Sequence, residues 1–151
     1  MIVGCNSSKN SSDVTQKQLE IYKNDLEYIK NKDNLVDNCD IANSELYYTE
    51  IKRGYRYDLV LDKTSQVLYN IRVITYTDSC LDDYQPNIGY FDKESYTLSP
   101  YKTDKKRFIY KGISLSGRVK RKCPIKVLIT YYDDAKMKKK HRYCFEVKNE
   151  N

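Results

Sequence analysis

Residues 55–76 read YRYDLVLDKTSQVLYNIRVITY. In the first half, Tyr55, Tyr57, Leu59 and Leu61 alternate with Arg56, Asp58 and Val60. A period of two sends successive side chains to opposite faces of an extended chain, so the spacing predicts a half-buried strand. Asp62-Lys63-Thr64-Ser65 is a run of turn formers. From Val67 to Tyr76 the alternation resumes as the longest strand expected in the chain. Tyr69, Ile71 and Val73 fall on one face, Asn70 and Arg72 on the other.

The same period continues outward. Upstream, Glu45–Ile51 reads as a strand broken by Gly54. Downstream, Asp78-Ser79-Cys80 ends the long strand and a loop containing Pro86 follows. Tyr96-Thr97-Leu98 is a short strand running into Pro100. Phe108–Leu115 is another, interrupted at Gly112. Ile125, Val127, Ile129 and Tyr131 alternate, Asp133–Lys136 turns, and Tyr143, Phe145 and Val147 close the last strand. Roughly seven short strands with no helix between them exclude a parallel βαβ sheet and predict an antiparallel, immunoglobulin-like β-sandwich over residues 45–148.

One helix precedes it. Leu19, Tyr22, Leu26 and Ile29 recur at steps of three and four, with Glu20, Lys23, Asn24, Glu27 and Lys30 on the other side. This predicts a helix over residues 13–31, with Asp13 as N-cap and Gln16 completing a capping box. Its narrow stripe suits packing on its own domain or weak pairing with a second copy. Residues 1–12 read as a flexible linker, polar and unpatterned after Cys5.

Sixteen Tyr, three Phe and no Trp supply the aromatic content. Tyr buries a large ring while keeping a polar tip and is favoured in strands, which points to a β domain with a thin core. The net charge of +6 is unevenly spread. Between Lys102 and Arg142 stand fifteen Lys/Arg and three Asp/Glu, whereas residues 1–101 carry eleven basic and sixteen acidic side chains. The basic half is expected to meet an anionic surface. The contacts expected there are Lys105, Lys106, Arg107, Arg118, Lys120, Arg121, Lys122, Lys138, Lys139, Lys140 and Arg142. Lysines of this kind also keep a Tyr-rich β domain soluble and protect its edges.

Catalytic signatures are absent: there is no P-loop, GxGxxG, HExxH or GxSxG pattern. His141 is the single imidazole, and no cysteines pair as CxxC. No metal site and no cofactor is expected, and the chain reads as non-enzymatic. Asp82-Asp83 and Asp133-Asp134 read as turn residues before cation ligands. In an exported protein, Cys39, Cys80, Cys123 and Cys144 can form one or two disulfides of undetermined pairing; in a reducing compartment they read as small buried residues.

Ile2-Val3-Gly4-Cys5, followed by a Ser/Asn-rich run, resembles the lipobox of bacterial lipoproteins. That resemblance implies lipidation at Cys5 and attachment to the outer face of the cell membrane, although the basic and apolar regions of a signal peptide do not precede it. Leu68–Val73, Leu98-Ser99-Pro100 and Lys126–Val147 resemble pieces of a small immunoglobulin-like sandwich appended to bacterial membrane-tethered proteins. Such domains usually lack catalytic residues. The expected function is therefore a non-catalytic, extracytoplasmic binding module at the cell surface, whose partner is an anionic membrane, a cell-wall surface or a protein. The alternative is a cytoplasmic, basic, nucleic-acid-binding β domain with aromatics interleaved among its lysines.

Overall fold

The structure is a computed structural model that describes the backbone of Ile2–Gly4 and all of residues 15–148. It is mainly β, with one α-helix and ten strands among those residues. The strands are β1 (Ile2–Gly4), β2 (Asn43–Ile51), β3 (Gly54–Asp62), β4 (Leu68–Tyr76), β5 (Asn87–Ile88), β6 (Tyr96–Leu98), β7 (Ile109–Tyr110), β8 (Gly112–Val119), β9 (Ile125–Tyr132) and β10 (Lys140–Val147). One sheet has the order β1-β8-β3-β2. The other runs β10-β9-β4-β6-β7, with β5 added to β4. The chain changes sheet between β3 and β4, between β7 and β8, and between β8 and β9.

A single core lies between the sheets. Leu46, Tyr57, Leu59, Leu61, Ile113 and Leu115 from the first sheet join Leu68, Ile71, Val73, Ile125, Val127, Ile129 and Phe145 from the second. Each such side chain, fully buried, stabilises by roughly 1.5–3 kcal/mol. Tyr57 is wholly buried, and its hydroxyl lies 2.7 Å from Thr75 Oγ1 on β4, so the one polar atom of that ring is satisfied across the core. Gly117 lets β8 pass this ring: a Cβ there would stand 2.8 Å from Tyr57 Cε1 and 2.6 Å from Pro86 Cγ.

The paired strands are mostly antiparallel, as the turns between them require. Two short pairs are parallel, β1 with β8 and β6 with β7. The apolar Ile2-Val3 thus extends the first sheet within the stretch read as linker. The single strand expected over Phe108–Leu115 is two strands in different sheets, because the chain crosses between sheets at Lys111; Phe108, in the left-handed region (φ 58°), precedes both.

In β4 the expected face is corrected. Asn70 has φ 47°, and the pairing with both neighbours slips there. This β-bulge turns Tyr69 off the core face, which is formed by Leu68, Ile71 and Val73. Beyond it, Ile74 points to the opposite side of the sheet.

That second face is covered by helix α1 (Gln16–Lys30). Its N-cap is Thr15 rather than Asp13, which lies outside the described residues. The Thr15 hydroxyl accepts from Gln18 N at 3.1 Å, and Gln18 Oε1 accepts from Thr15 N at 3.0 Å. Lys126 Nζ donates to the carbonyls of Lys30 and Lys32 at the other end, satisfying groups the helix leaves open. Tyr22 and Ile29 pack with Ile74, Tyr90, Phe91 and Leu128, so the apolar stripe lies on its own domain.

Candidate anionic-surface interface

The strand registers sort the basic residues by end. β3 starts, β8 ends, β9 starts and β10 ends at one end, here the upper: Tyr55 pairs with Val119, Tyr76 with Lys126, and Val147 with Ile125. At the lower end Asp62 pairs with Gly112, Tyr69 with Tyr132, and Lys140 with Tyr132. Arg118, Lys120, Arg121 and Lys122 therefore stand at the upper end, and Lys138, Lys139 and Lys140 at the lower. Lys105, Lys106 and Arg107 form a single 3-10 turn leading into β7, on the far edge of the second sheet. The fold keeps these clusters apart instead of merging them.

At the upper end Arg118, Arg121 and Lys122 are engaged. Arg118 grips Asp82 with Nε at 2.9 Å and Nη2 at 2.8 Å, while the Arg118 backbone N–H donates to the second carboxylate oxygen at 3.0 Å. The Asp82 side chain is only 5% exposed, so this fork ties the loop after Cys80 to β8. Arg121 lies 3.6 Å from Asp78, and Lys122 sits over the rings of Tyr48 and Tyr55 at 6.0 and 5.4 Å. Two hollows, of about 340 and 240 Å³, share Cys123 and Pro124 as a common wall. Asp78 and Glu146 line the larger beside Arg121 and Lys126, so its charges are balanced.

At the lower end the balance differs. The loop between β9 and β10 carries Lys136, Lys138 and Lys139, and Lys140 opens β10, all four exposed. None of them forms an ion pair with the described residues. Both aspartates of the loop have other geometry. Asp133 Oδ2 meets His141 Nε2 at 2.6 Å, and Asp134 has a buried carboxylate oxygen while its carbonyl accepts from Met137 N at 3.2 Å. On the same end, Lys63 and Lys111 flank a hollow of about 370 Å³ also lined by Asp62, Pro100 and Gly112. Tyr101, next to Pro100, is 75% exposed.

Arg142 does not belong to this surface. Its guanidinium turns to the helix, 3.5 Å from Asp25 Oδ1 and 4.7 Å from the Tyr28 ring centroid. Asp25 is buried, and Tyr90 donates to its other oxygen at 2.7 Å. Burial and this carboxylate together hold the Tyr90 hydroxyl well above its ordinary ionisation range. Asp25 lies on the helix face that the apolar stripe alone does not reveal. A polar residue between Tyr22 and Ile29 was the available signal.

The cysteines sit in different surroundings. Cys39 and Cys123 pack against the core between the sheets, Cys144 against the cluster under the helix, and Cys80 beside Val119. All four are free thiols. Burial raises the thiols of Cys39, Cys80 and Cys144 above their ordinary value, the opposite of what an activated nucleophile requires. Cys123 receives contacts at 3.0 Å from the hydroxyls of Thr77 and Ser79 at the upper end, away from His141, which stacks on Tyr131 at the lower. Among the described residues no three His, Cys, Asp or Glu side chains gather to hold a metal ion, and no helix is long and apolar enough to cross a membrane. Cys5 lies outside the described residues. No family model, no curated protein and no solved structure matches this chain.

Proposed function

We propose that the chain is a non-catalytic interaction module of a bacterial cell surface, whose lower end rests on an anionic surface and whose tether is a lipid on Cys5, formed with cleavage before that residue and so with loss of β1 (Ile2–Gly4). The observation that carries this reading is the β9–β10 loop with the start of β10, where four exposed lysines project while Asp133 is bound to His141. Attraction there acts through charge over a broad area rather than through a pocket, with each Lys near an anionic bilayer contributing about 1 kcal/mol. The immunoglobulin-like reading belongs to the same proposal. It is supported by the division of the strands, with β2, β3 and β8 in one sheet and β4, β9 and β10 in the other, and by the repeated changes of sheet.

The test is co-sedimentation of the whole chain with vesicles of phosphatidylglycerol and phosphatidylcholine, against binding to single-stranded DNA at matched charge. The proposal expects preference for the vesicles and loss of binding as salt rises. Preference for DNA would replace it with the cytoplasmic nucleic-acid reading, and negligible binding to both at low salt would leave the lysines as a solvated face.

A further inference from the structure

Met137 is the second residue of the run Lys136-Met137-Lys138-Lys139-Lys140 and is 51% exposed. Its φ is 55°, a left-handed conformation that glycine and asparagine adopt at little cost and that unbranched apolar residues rarely occupy. The methionine therefore sits where it costs local stability and contributes little to the core. Tyr101, the most exposed of the large apolar side chains among the described residues, stands at the same end. An apolar side chain flanked in sequence by lysines, with an exposed aromatic at the same end of the domain, matches the division of a bilayer surface into anionic headgroups and the acyl boundary below them.

We propose that the β9–β10 loop with the start of β10 is a membrane-docking tip in which Met137 enters the boundary between headgroups and acyl chains of an anionic bilayer while Lys136, Lys138, Lys139 and Lys140 contact the phosphates. This rests on the anionic-surface reading above and adds a partner, a lipid bilayer rather than a soluble or cell-wall polyanion. The lysines supply long-range attraction that salt screens. The methionine supplies a short-range apolar contact that salt does not weaken.

The chain contains no tryptophan, so Met137→Trp places a single indole at the tip. With vesicles of phosphatidylglycerol and phosphatidylcholine, its emission should shift to the blue and be quenched by brominated acyl chains. If the protein co-sediments with the vesicles while the emission stays that of a hydrated indole and is not quenched, charge attraction stands and insertion is overturned. If the protein does not co-sediment at low salt, both readings fall. A second variant, Met137→Asn, suits the left-handed backbone and keeps the fold. It should bind the same vesicles about tenfold more weakly, the loss expected for partial burial of a methionine, while binding a soluble polyanion such as heparin unchanged. Unchanged vesicle binding by Met137→Asn would also overturn insertion.

Discussion

The Tyr90 hydroxyl donates to Asp25 Oδ2 at 2.7 Å, joining residues 65 apart in the sequence and fixing helix α1 to the loop that follows β5. Both partners are buried, at 3% and 5% exposure, so neither can exchange the bond for water. Tyr90→Phe removes the donor and leaves the carboxylate with Arg142 alone. The expected cost is about 1–3 kcal/mol, read as a lower urea midpoint at unchanged slope. An unchanged midpoint would mean the helix is not held by this contact.

Gly117 tests the packing of β8 on Tyr57. A Cβ at this position would overlap both Pro86 and the Tyr57 ring. Gly117→Ala is expected to destabilise by about 1–3 kcal/mol through overpacking. Gly112→Ala is a useful companion: its added atom meets Asp62 Cβ at 2.9 Å and the Leu61 carbonyl at 3.1 Å, and it should disturb the lower end of β8 but leave the Tyr57 environment alone.

Alkaline pH should unfold the domain. Burial raises Tyr22 and Tyr96 from 10.0 to about 12, the second with help from Asp92, and it holds Tyr57 and Tyr90 well above their ordinary range. A group whose folded-state pKa is raised contributes stability that is fully present below the unfolded value and is lost as pH rises through the folded one. Stability should therefore hold below pH 10 and fall between pH 10 and 12, with tyrosinate absorbance and loss of β circular dichroism appearing together. Tyrosinate formation near pH 10 by all sixteen tyrosines with no change in fold would contradict the burial described.

Thiol reactivity gives an independent reading of the core. With their thiols raised by burial, Cys39, Cys80 and Cys144 hold little thiolate at pH 8 and should react slowly with Ellman's reagent in the folded chain. In reduced protein unfolded by guanidinium all should react at once. Fast reaction of all three in the native state would contradict their placement.

Alternation reads most plainly where a strand has one buried face. In β3, Tyr57, Leu59 and Leu61 face the core while Arg56 and Asp58 face outward, and the alternation is visible because only one side is apolar. In β4 the pattern misleads, because a bulge at Asn70 shifts the face by one residue and the strand is buried on both sides beyond it. The pairing of Asn87–Ile88 with β4 left no periodic signal, since two residues cannot carry a period. At the site, the basic residue types were visible, but their grouping was not. Arg118 and Lys138 belong to opposite ends because β8 and β10 end at the same level, and Arg142 is withdrawn because its neighbour across the sheet face is a helix carrying Asp25. Such relations depend on which strands are neighbours, which composition does not encode.

The central claim is that the lower end, and not basic charge in general, meets an anionic bilayer. The direct measurement compares two triple variants in a salt series with phosphatidylglycerol-containing vesicles. One is Lys138→Gln with Lys139→Gln and Lys140→Gln; the other is Lys120→Gln with Arg121→Gln and Lys122→Gln. Each removes the same formal charge, and each alters exposed residues, so both should fold. The account predicts that the lower-end variant binds about 100-fold more weakly at low salt, from roughly 1 kcal/mol per lysine, and loses most of its salt dependence. The upper-end variant should bind within about threefold of the parent, because its three sites stand at the far end of the strands. Equal losses in the two variants, or a greater loss in the upper-end one, would contradict the assignment.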